Sequence, residues 1–288
     1  MGKIKSFDIV FSNESGAFYA GQQVTGKVVV ETIDIIKLKS IKLKFYGEAF
    51  VSFTDNSKKK MKHSDRQKYF DQVDVLFGNP DASLTTECSS MSAGWHEYPF
   101  AFNAPANLPS SFESRDGSVR YCCTATLHLP LLKRDRSTKK PFSIVSVVDL
   151  NREPLSFKPA HESMEKRFSF SDRLLCCVRG GLSVRVTLPR SAFVSGEDLP
   201  ISAEIKNYSS ERVRKVEAYL QQNVIYSARA GRAGQRFVKG EAKIGQLSEG
   251  PVKPGSCQVW QDKAICIPSL PPSKLGGCQF ISVDYIFN

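Results

Sequence analysis

The sequence contains no apolar run of the roughly 18 residues that a membrane-crossing helix needs. Its first residues, Met1-Gly2-Lys3-Ile4-Lys5-Ser6-Phe7-Asp8, alternate charged and apolar side chains, unlike the continuous apolar stretch of a secretory leader. Both absences point to the cytoplasm, where thiols stay reduced. Cysteine is scarce at 8 in 288 residues, far below the density of a disulfide-built scaffold. Histidine is scarcer, scattered at His63, His96, His128 and His161, and no Gly-x-Ser-x-Gly turn is present. No motif therefore pairs a nucleophile with a base, and the chain reads as non-catalytic. Gly-rich phosphate loops, zinc-finger spacings and aromatic RNA-binding signatures are missing too. Neither a cofactor nor a nucleic acid is expected.

What is there is ordinary globular composition, 41% hydrophobic and 24% charged, which excludes wholesale disorder. The length of 288 residues suits two domains. Net charge is +11, with +4 as far as Leu150 and +7 beyond it, and no basic tail. A spread excess of this size favours acidic membranes or phosphorylated partners.

Apolar and polar residues alternate with period 2 in Ile41-Lys42-Leu43-Lys44-Phe45 and in Leu182-Ser183-Val184-Arg185-Val186-Thr187-Leu188. Further strand candidates are 24–32, 142–148, 201–205, 216–220 and 280–285, rich in Val, Ile, Phe and Tyr and bounded by turn residues. No long amphipathic helix appears. Many short strands separated by turns predict an all-β protein built of sandwiches.

An internal repeat organises them. Phe18-Tyr19-Ala20-Gly21 recurs as Phe193-Val194-Ser195-Gly196, an offset of 175, and the next strand keeps it, Ile41 falling on Val216 and Phe45 on Leu220. Leu108-Pro109-Ser110-Ser111 recurs as Leu270-Pro271-Pro272-Ser273, and Val119-Arg120-Tyr121 falls on Cys278-Gln279-Phe280. The Gly marks a turn that needs its backbone freedom, and the Pro an extended entry to a turn. The first half carries an insertion over 54–94, rich in Lys, Asp, Ser and Met, expected to be an exposed loop with 73–77 as one further strand candidate. The halves meet at a Pro-containing, charged stretch over 151–174, read as a linker.

Several segments resemble the α-arrestins, the arrestin domain-containing proteins. Phe18-Tyr19-Ala20-Gly21-Gln22-Gln23-Val24-Thr25-Gly26 is similar to their first-repeat turn and strand. Tyr98-Pro99-Phe100 with Leu108-Pro109-Ser110-Ser111-Phe112-Glu113 is similar to the Pro-rich turn of their first domain, and Gly117-Ser118-Val119-Arg120-Tyr121 to the strand after it. Asp149-Leu150-Asn151, Cys176-Cys177-Val178, Phe193-Val194-Ser195-Gly196-Glu197 and Ala203-Glu204-Ile205-Lys206-Asn207 resemble the interdomain segment and the opening of the second domain. The resemblance implies two tandem immunoglobulin-like β-sandwiches, the arrestin fold: an N-terminal one over 1–150, a linker over 151–174 and a C-terminal one over 175–288. It also implies a non-catalytic cytoplasmic adaptor, recruited to plasma membrane and endosomes. Such an adaptor binds cytoplasmic parts of membrane receptors or transporters and promotes their endocytosis and ubiquitin-linked sorting. The family's Pro-Pro-x-Tyr motifs, which bind ubiquitin ligases, are not in this sequence: Pro271-Pro272 continues with Ser273-Lys274. Ligase recruitment is therefore expected only through a further C-terminal tail, and the second sandwich is expected to be incomplete at Asn288.

Two alternatives share the fold, a thioredoxin-binding redox regulator and a retromer-like coat subunit. For the first, Cys122-Cys123 and Cys176-Cys177 are the candidates. They are adjacent pairs rather than Cys-x-x-Cys, and strand neighbours face opposite sides, so each pair chelates one ion poorly. One buried and one exposed thiol is expected in each. The candidate contact residues for anionic lipid, phosphate or cargo are Lys58, Lys59, Lys60 and Lys62, with Lys3 and Lys5, and with Lys42 and Lys44 if they share a face; the bland alternative is a solvated loop. Met1-Gly2-Lys3-Ile4-Lys5-Ser6 fits the loose pattern for N-myristoylation at Gly2.

Overall fold

The computed structural model describes residues 3–55, 60–79, 88–130, 133–152, 157–167, 180–230 and 234–288. Among them the elements are strands and short turns, with no α-helix. In chain order the strands are β1 (Ile4–Phe11), β2 (Ala17–Tyr19), β3 (Gln23–Thr32), β4 (Ile36–Leu38), β5 (Ser40–Thr54), β6 (Lys62–Gly78), β7 (Ser89–Met91), β8 (Gly94–Asn103), β9 (Phe112–Glu113), β10 (Gly117–His128) and β11 (Arg136–Val145). They continue with β12 (Ala160–Arg167), β13 (Gly181–Leu188), β14 (Asp198–Asn207), β15 (Val216–Arg229), β16 (Gln235–Glu249), β17 (Cys257–Cys266) and β18 (Ile281–Phe287).

The sheets run β1-β3-β8, β2-β11-β10-β5-β6 with β9 on β10, β4-β7, β12-β13-β14-β17 and β16-β15-β18. Packing divides the chain into two compact units. The first is Met1–Val147 with Ile225–Lys239 and Pro271–Val283; the second is Val148–Val224, Gly240–Leu270 and Asp284–Asn288.

Alternation builds the core of the first unit. Along β5 the residues Ile41, Leu43, Phe45, Ala49, Val51 and Phe53 are buried on one face, and β10 answers with Val119, Tyr121, Cys123, Ala125 and Leu127. Each large apolar side chain so buried stabilises the fold by about 1.5–3 kcal/mol. Aromatic rings fill the space between sheets: Phe45 stacks on Phe102 with centroids 4.5 Å apart, and Phe11 meets Phe18 edge-on at 5.6 Å. The Tyr121 hydroxyl donates to Pro109 O at 2.7 Å, so the one polar atom of that ring is satisfied by the Leu-Pro-Ser-Ser turn. The same turn supports β11, because Ser111 Oγ accepts from the Ile144 N–H at 3.0 Å and Ser110 Oγ from the Ser146 N–H at 2.8 Å. The second unit buries Leu199, Ile201 and Ile205 of β14 with Leu220, Trp260 and Ile265.

The internal repeat is visible as geometry. β3 and β14 begin and end 175 residues apart. Before β3, the Gln22 N–H donates to Tyr19 O at 2.9 Å and the Tyr19 N–H donates to Gln22 Oε1 at 2.8 Å. Before β14, the Glu197 N–H donates to Val194 O at 3.2 Å and the Val194 N–H donates to Glu197 Oε2 at 2.9 Å. Inside these turns Gly21 and Gly196 take φ of 82° and 89°, the left-handed region that explains the shared Gly.

The structure corrects three readings. Much of the insertion over 54–94 is strand, since β6 runs 17 residues along β5. Its pattern is hard to read because its outer face is polar and the ladder carries two register shifts, at Ile41/Lys42 and Gly47/Glu48. Asp71, on that outer face, pairs with Lys44 at 2.8 Å. Within the stretch read as a linker, β12 pairs antiparallel with β13 from Ala160↔Leu188 to Arg167↔Gly181. Its charged residues had masked a sheet-edge strand whose outer face is wet. Cys278-Gln279-Phe280 precede β18, which starts at Ile281, so the last repeat marker aligns a turn with a strand.

Candidate functional site

Lys60 and Lys62 of the lysine run sit at the end of the β5–β6 hairpin, and the residues around them fix that end. Thr54 pairs with Lys62, closing the ladder. Beyond it the Asp55 N–H donates to Met61 O at 3.0 Å, while Asp55 Oδ1 accepts from the Met61 N–H at 3.1 Å. Asp55 Oδ2 lies 3.1 Å from Nε2 of His63, a buried ring packed against Phe53. One carboxylate thus ties both sides of the hairpin together.

Lys60, Met61 and Lys62 are exposed. Lys58 and Lys59 lie outside the described residues, as does Gly2. Farther down the strands the charges are matched, Lys44 with Asp71 at 2.8 Å and Arg66 with Glu48 at 3.1 Å. Lys60 and Lys62 have no ion pair with a described residue, so positive charge is concentrated at the tip.

Lys3 and Lys5 do not join it. Lys3 Nζ is 2.6 Å from Asp34 Oδ2, and Lys5 Nζ is 2.7 Å from Glu31 Oε1. They also stand at the other end of β5. The Arg136 guanidinium reaches Ile4 O at 3.3 Å, Arg136 pairs with Leu127, and His128 pairs with Ser40 at the start of β5. Ser40 and Thr54 are the two ends of the 15-residue β5, a span of about 45 Å.

The thiol pair at Cys122 and Cys123 differs from expectation, for both are buried. Cys123 faces the core. Cys122 faces outward but is only 9% exposed, with Tyr46 opposite it on β5 and the amines of Lys139 and Lys44 near its thiol. Burial pushes the Cys122 thiol up, partly offset by Lys139, and pushes Cys123 up to about 12. Cys176 and Cys177 lie outside the described residues. Among the described residues no group of three His, Cys, Asp or Glu side chains is placed to hold a metal ion. No helix among them is long and apolar enough to cross a membrane.

The family model for the arrestin (or S-antigen) N-terminal domain matches residues 7–151, and that for the arrestin (or S-antigen) C-terminal domain matches residues 179–288. The chain is an α-arrestin. It is 32% identical to arrestin domain-containing protein 17 of Caenorhabditis elegans over 292 residues, covering 99% of this chain and 67% of that protein. Arrestin domain-containing protein 4 of Homo sapiens is 29% identical, with 99% of this chain and 66% of the relative covered. Thioredoxin-interacting protein of Mus musculus is 28% identical over 98% of this chain and 68% of its own length. The chain therefore spans about two thirds of the length of these relatives. Arrestin domains make this α-arrestin a member of an adaptor-type family with two β-sandwich domains.

Sequence reading found the lysine run but missed its anchor. Asp55 and His63 are eight residues apart, and only the hairpin makes them partners. Asn207, which opens an Asn-Tyr-Ser triplet, is buried, and its amide donates to Glu211 O at 2.7 Å.

Proposed function

We propose that this α-arrestin is a non-catalytic adaptor that binds cytoplasmic segments of membrane receptors or transporters and directs them into endocytosis and sorting. The observation that carries the reading is the β5–β6 tip. It is an exposed cationic hairpin, braced by Asp55 and His63, on a chain whose relatives are arrestin domain-containing proteins. Cations held at the end of a stiff ladder suit acidic or phosphorylated cargo tails, since each charge-assisted contact is stronger than a neutral one. The adaptor acts in the cytoplasm and is recruited to plasma membrane and endosomes by its cargo. In sequence its two arrestin domains are taken as 1–150 and 175–288, with Ile225–Lys239 and Pro271–Val283 of the second stretch gathered into the first compact unit. Ubiquitin ligases join only through Pro-Pro-x-Tyr motifs carried outside this sequence.

The test is capture of phosphorylated cytoplasmic-tail peptides by the immobilised chain, with Lys58, Lys59, Lys60 and Lys62 changed together to Glu. Capture is expected to fall at least about tenfold, roughly 1.4 kcal/mol, with unchanged circular dichroism. Undiminished capture by the folded variant would remove the tip from cargo binding. The thioredoxin-binding alternative is less well supported, because the Cys122–Cys123 pair is buried and its thiols are held protonated.

A further inference from the structure

Ile33 and Ile35 lie in the short connection between β3 and β4 and are 65% and 59% exposed, while Trp95, near the start of β8, is 60% exposed. Singly such residues are unremarkable. These three share one end of the first unit. Trp95 is the ladder partner of Glu31, and the Ile33 N–H donates to Lys3 O at 2.8 Å. Thr32 Oγ1 donates to Ser92 O at 2.8 Å, tying the connection to the turn that precedes Trp95. The indole N–H donates to Glu97 Oε1 at 2.9 Å, which orients the ring. Ile36 and Leu38 turn into the core immediately afterwards, so burial was available to this segment and Ile33 and Ile35 are not using it.

Among the described residues the charge around them is lopsided. Asp34 and Glu31 are neutralised by Lys3 and Lys5. Asp135 is taken up by His128 Nδ1 at 2.8 Å and by the Leu129 N–H at 2.9 Å. The Lys39 N–H donates to His128 O at 2.7 Å, and Arg136 reaches Ile4 O at 3.3 Å, so the β10–β11 connection stands at this same end. Lys37, Lys133 and Arg134 remain exposed with no ion pair to a described residue.

We propose that this end is a membrane-docking tip: Ile33, Ile35 and Trp95 enter the headgroup–acyl boundary of an anionic bilayer while Lys37, Lys133 and Arg134 hold lipid headgroups. An exposed Trp with aliphatic neighbours and a cationic surround matches the interface of a bilayer, where amphipathic rings and long basic side chains settle together. An acidic peptide would match the cations but leave the two isoleucines and the indole face in water. The tip is separate from the lysine hairpin at the far end of β5, so the two surfaces can fail independently.

The chain carries its own reporter. It has two tryptophans, and Trp260 is buried at 3% exposure, so an emission change on lipid binding comes from Trp95. The full chain is mixed with phosphatidylcholine vesicles with and without phosphatidylserine, and with acyl chains brominated or not. Phosphatidylserine vesicles are expected to blue-shift Trp95 and the brominated chains to quench it. Quenching is expected to vanish in Trp95→Phe, while Ile33→Ser with Ile35→Ser, and separately Lys37→Glu with Lys133→Glu and Arg134→Glu, each weaken partitioning about tenfold. Charge reversal at 58–62 is expected to leave the quenching intact. Absence of quenching in the unaltered chain overturns the proposal, as does equal partitioning of the folded isoleucine variant. So does a Trp95 shift produced by polyglutamate but not by vesicles, which would assign the tip to acidic peptides.

Discussion

Cys122 and Cys123 are chain neighbours on β10, pointing to opposite faces, yet both are shielded. Cys123 is buried in the core, and Cys122 is buried on the outer face, opposite Tyr46 and near Lys139 and Lys44. Thiolate is the reactive form, and burial suppresses it at both positions. Cys257 and Cys266 of β17 are exposed. Brief iodoacetamide treatment of the native protein at neutral pH should therefore label Cys257 and Cys266 and leave Cys122 and Cys123 unmodified until denaturant is added. Peptide mass spectrometry reads this directly. Equal labelling of all four would mean that the outer face of β10 opens far more readily than its burial implies. The strand rule read from sequence gave the opposite-facing geometry correctly. It could not supply the exposure, because the neighbours come from β5 and β11, which are distant in the chain.

At the scale of elements, the two turns that open β3 and β14 solve one problem with different chemistry. Gln22 and Glu197 both accept the N–H of the residue three positions earlier, Gln22 as a neutral amide and Glu197 as a carboxylate also held by Arg190 at 2.8 Å. The Val194 N–H first, and Arg190 next, hold the Glu197 carboxyl below its ordinary value of 4.5. A group whose folded pKa is depressed stabilises the fold above its unfolded pKa, and loses that contribution as pH falls through the folded value. Glu197→Gln keeps the backbone acceptor, as Gln22 shows is sufficient, and removes the proton. Thermal midpoints followed from neutral pH downward should fall more steeply below about pH 4.5 in the unaltered chain than in the variant. Parallel curves would mean that the turn is formed without the carboxylate. These turns were legible from sequence because Gly and a fixed offset mark them. β6 was legible only over 73–77, because the rest of its outer face reads as a soluble loop and its ladder slips register twice. Lys3 and Lys5 read from sequence as contact candidates because their partners, Asp34 and Glu31, stand about 26 to 31 positions away and come beside them only when β1 pairs with β3.

At the scale of the whole molecule, the least legible feature is that the first unit is not one continuous stretch. Period-2 patterning and turn residues identify strands and count sandwiches, but they carry no record of which late segment packs on which early one. Here Ile225–Lys239 and Pro271–Val283 belong to the same unit as Met1–Val147. Specific bonds within that unit hold them. The Gln67 amide donates to Gly277 O at 3.0 Å and its oxygen accepts from the Gln279 N–H at 2.8 Å, while the Tyr226 hydroxyl donates to Ser114 Oγ at 2.8 Å. Arg229 lies 3.2 Å from Asp65. At the start of β10, a Cβ on Gly117 would sit 2.9 Å from Tyr226 Cδ1 and 3.0 Å from Ile281 Cδ1, too close for either ring or methyl to stay where it is. Gly117→Ala in the intact chain should therefore cost about 1–3 kcal/mol through overpacking, read as a lowered urea midpoint. In a chain ending at Val147 both neighbours are gone, and alanine in a strand should be neutral or stabilising by about 0.5–1 kcal/mol relative to glycine. The sign of the effect thus distinguishes packing on the late segments from any intrinsic preference of β10 for glycine. Destabilisation of equal size in both chains would show that the late segments do not complete this unit, and a neutral result in both would show that they pack on it too loosely to matter.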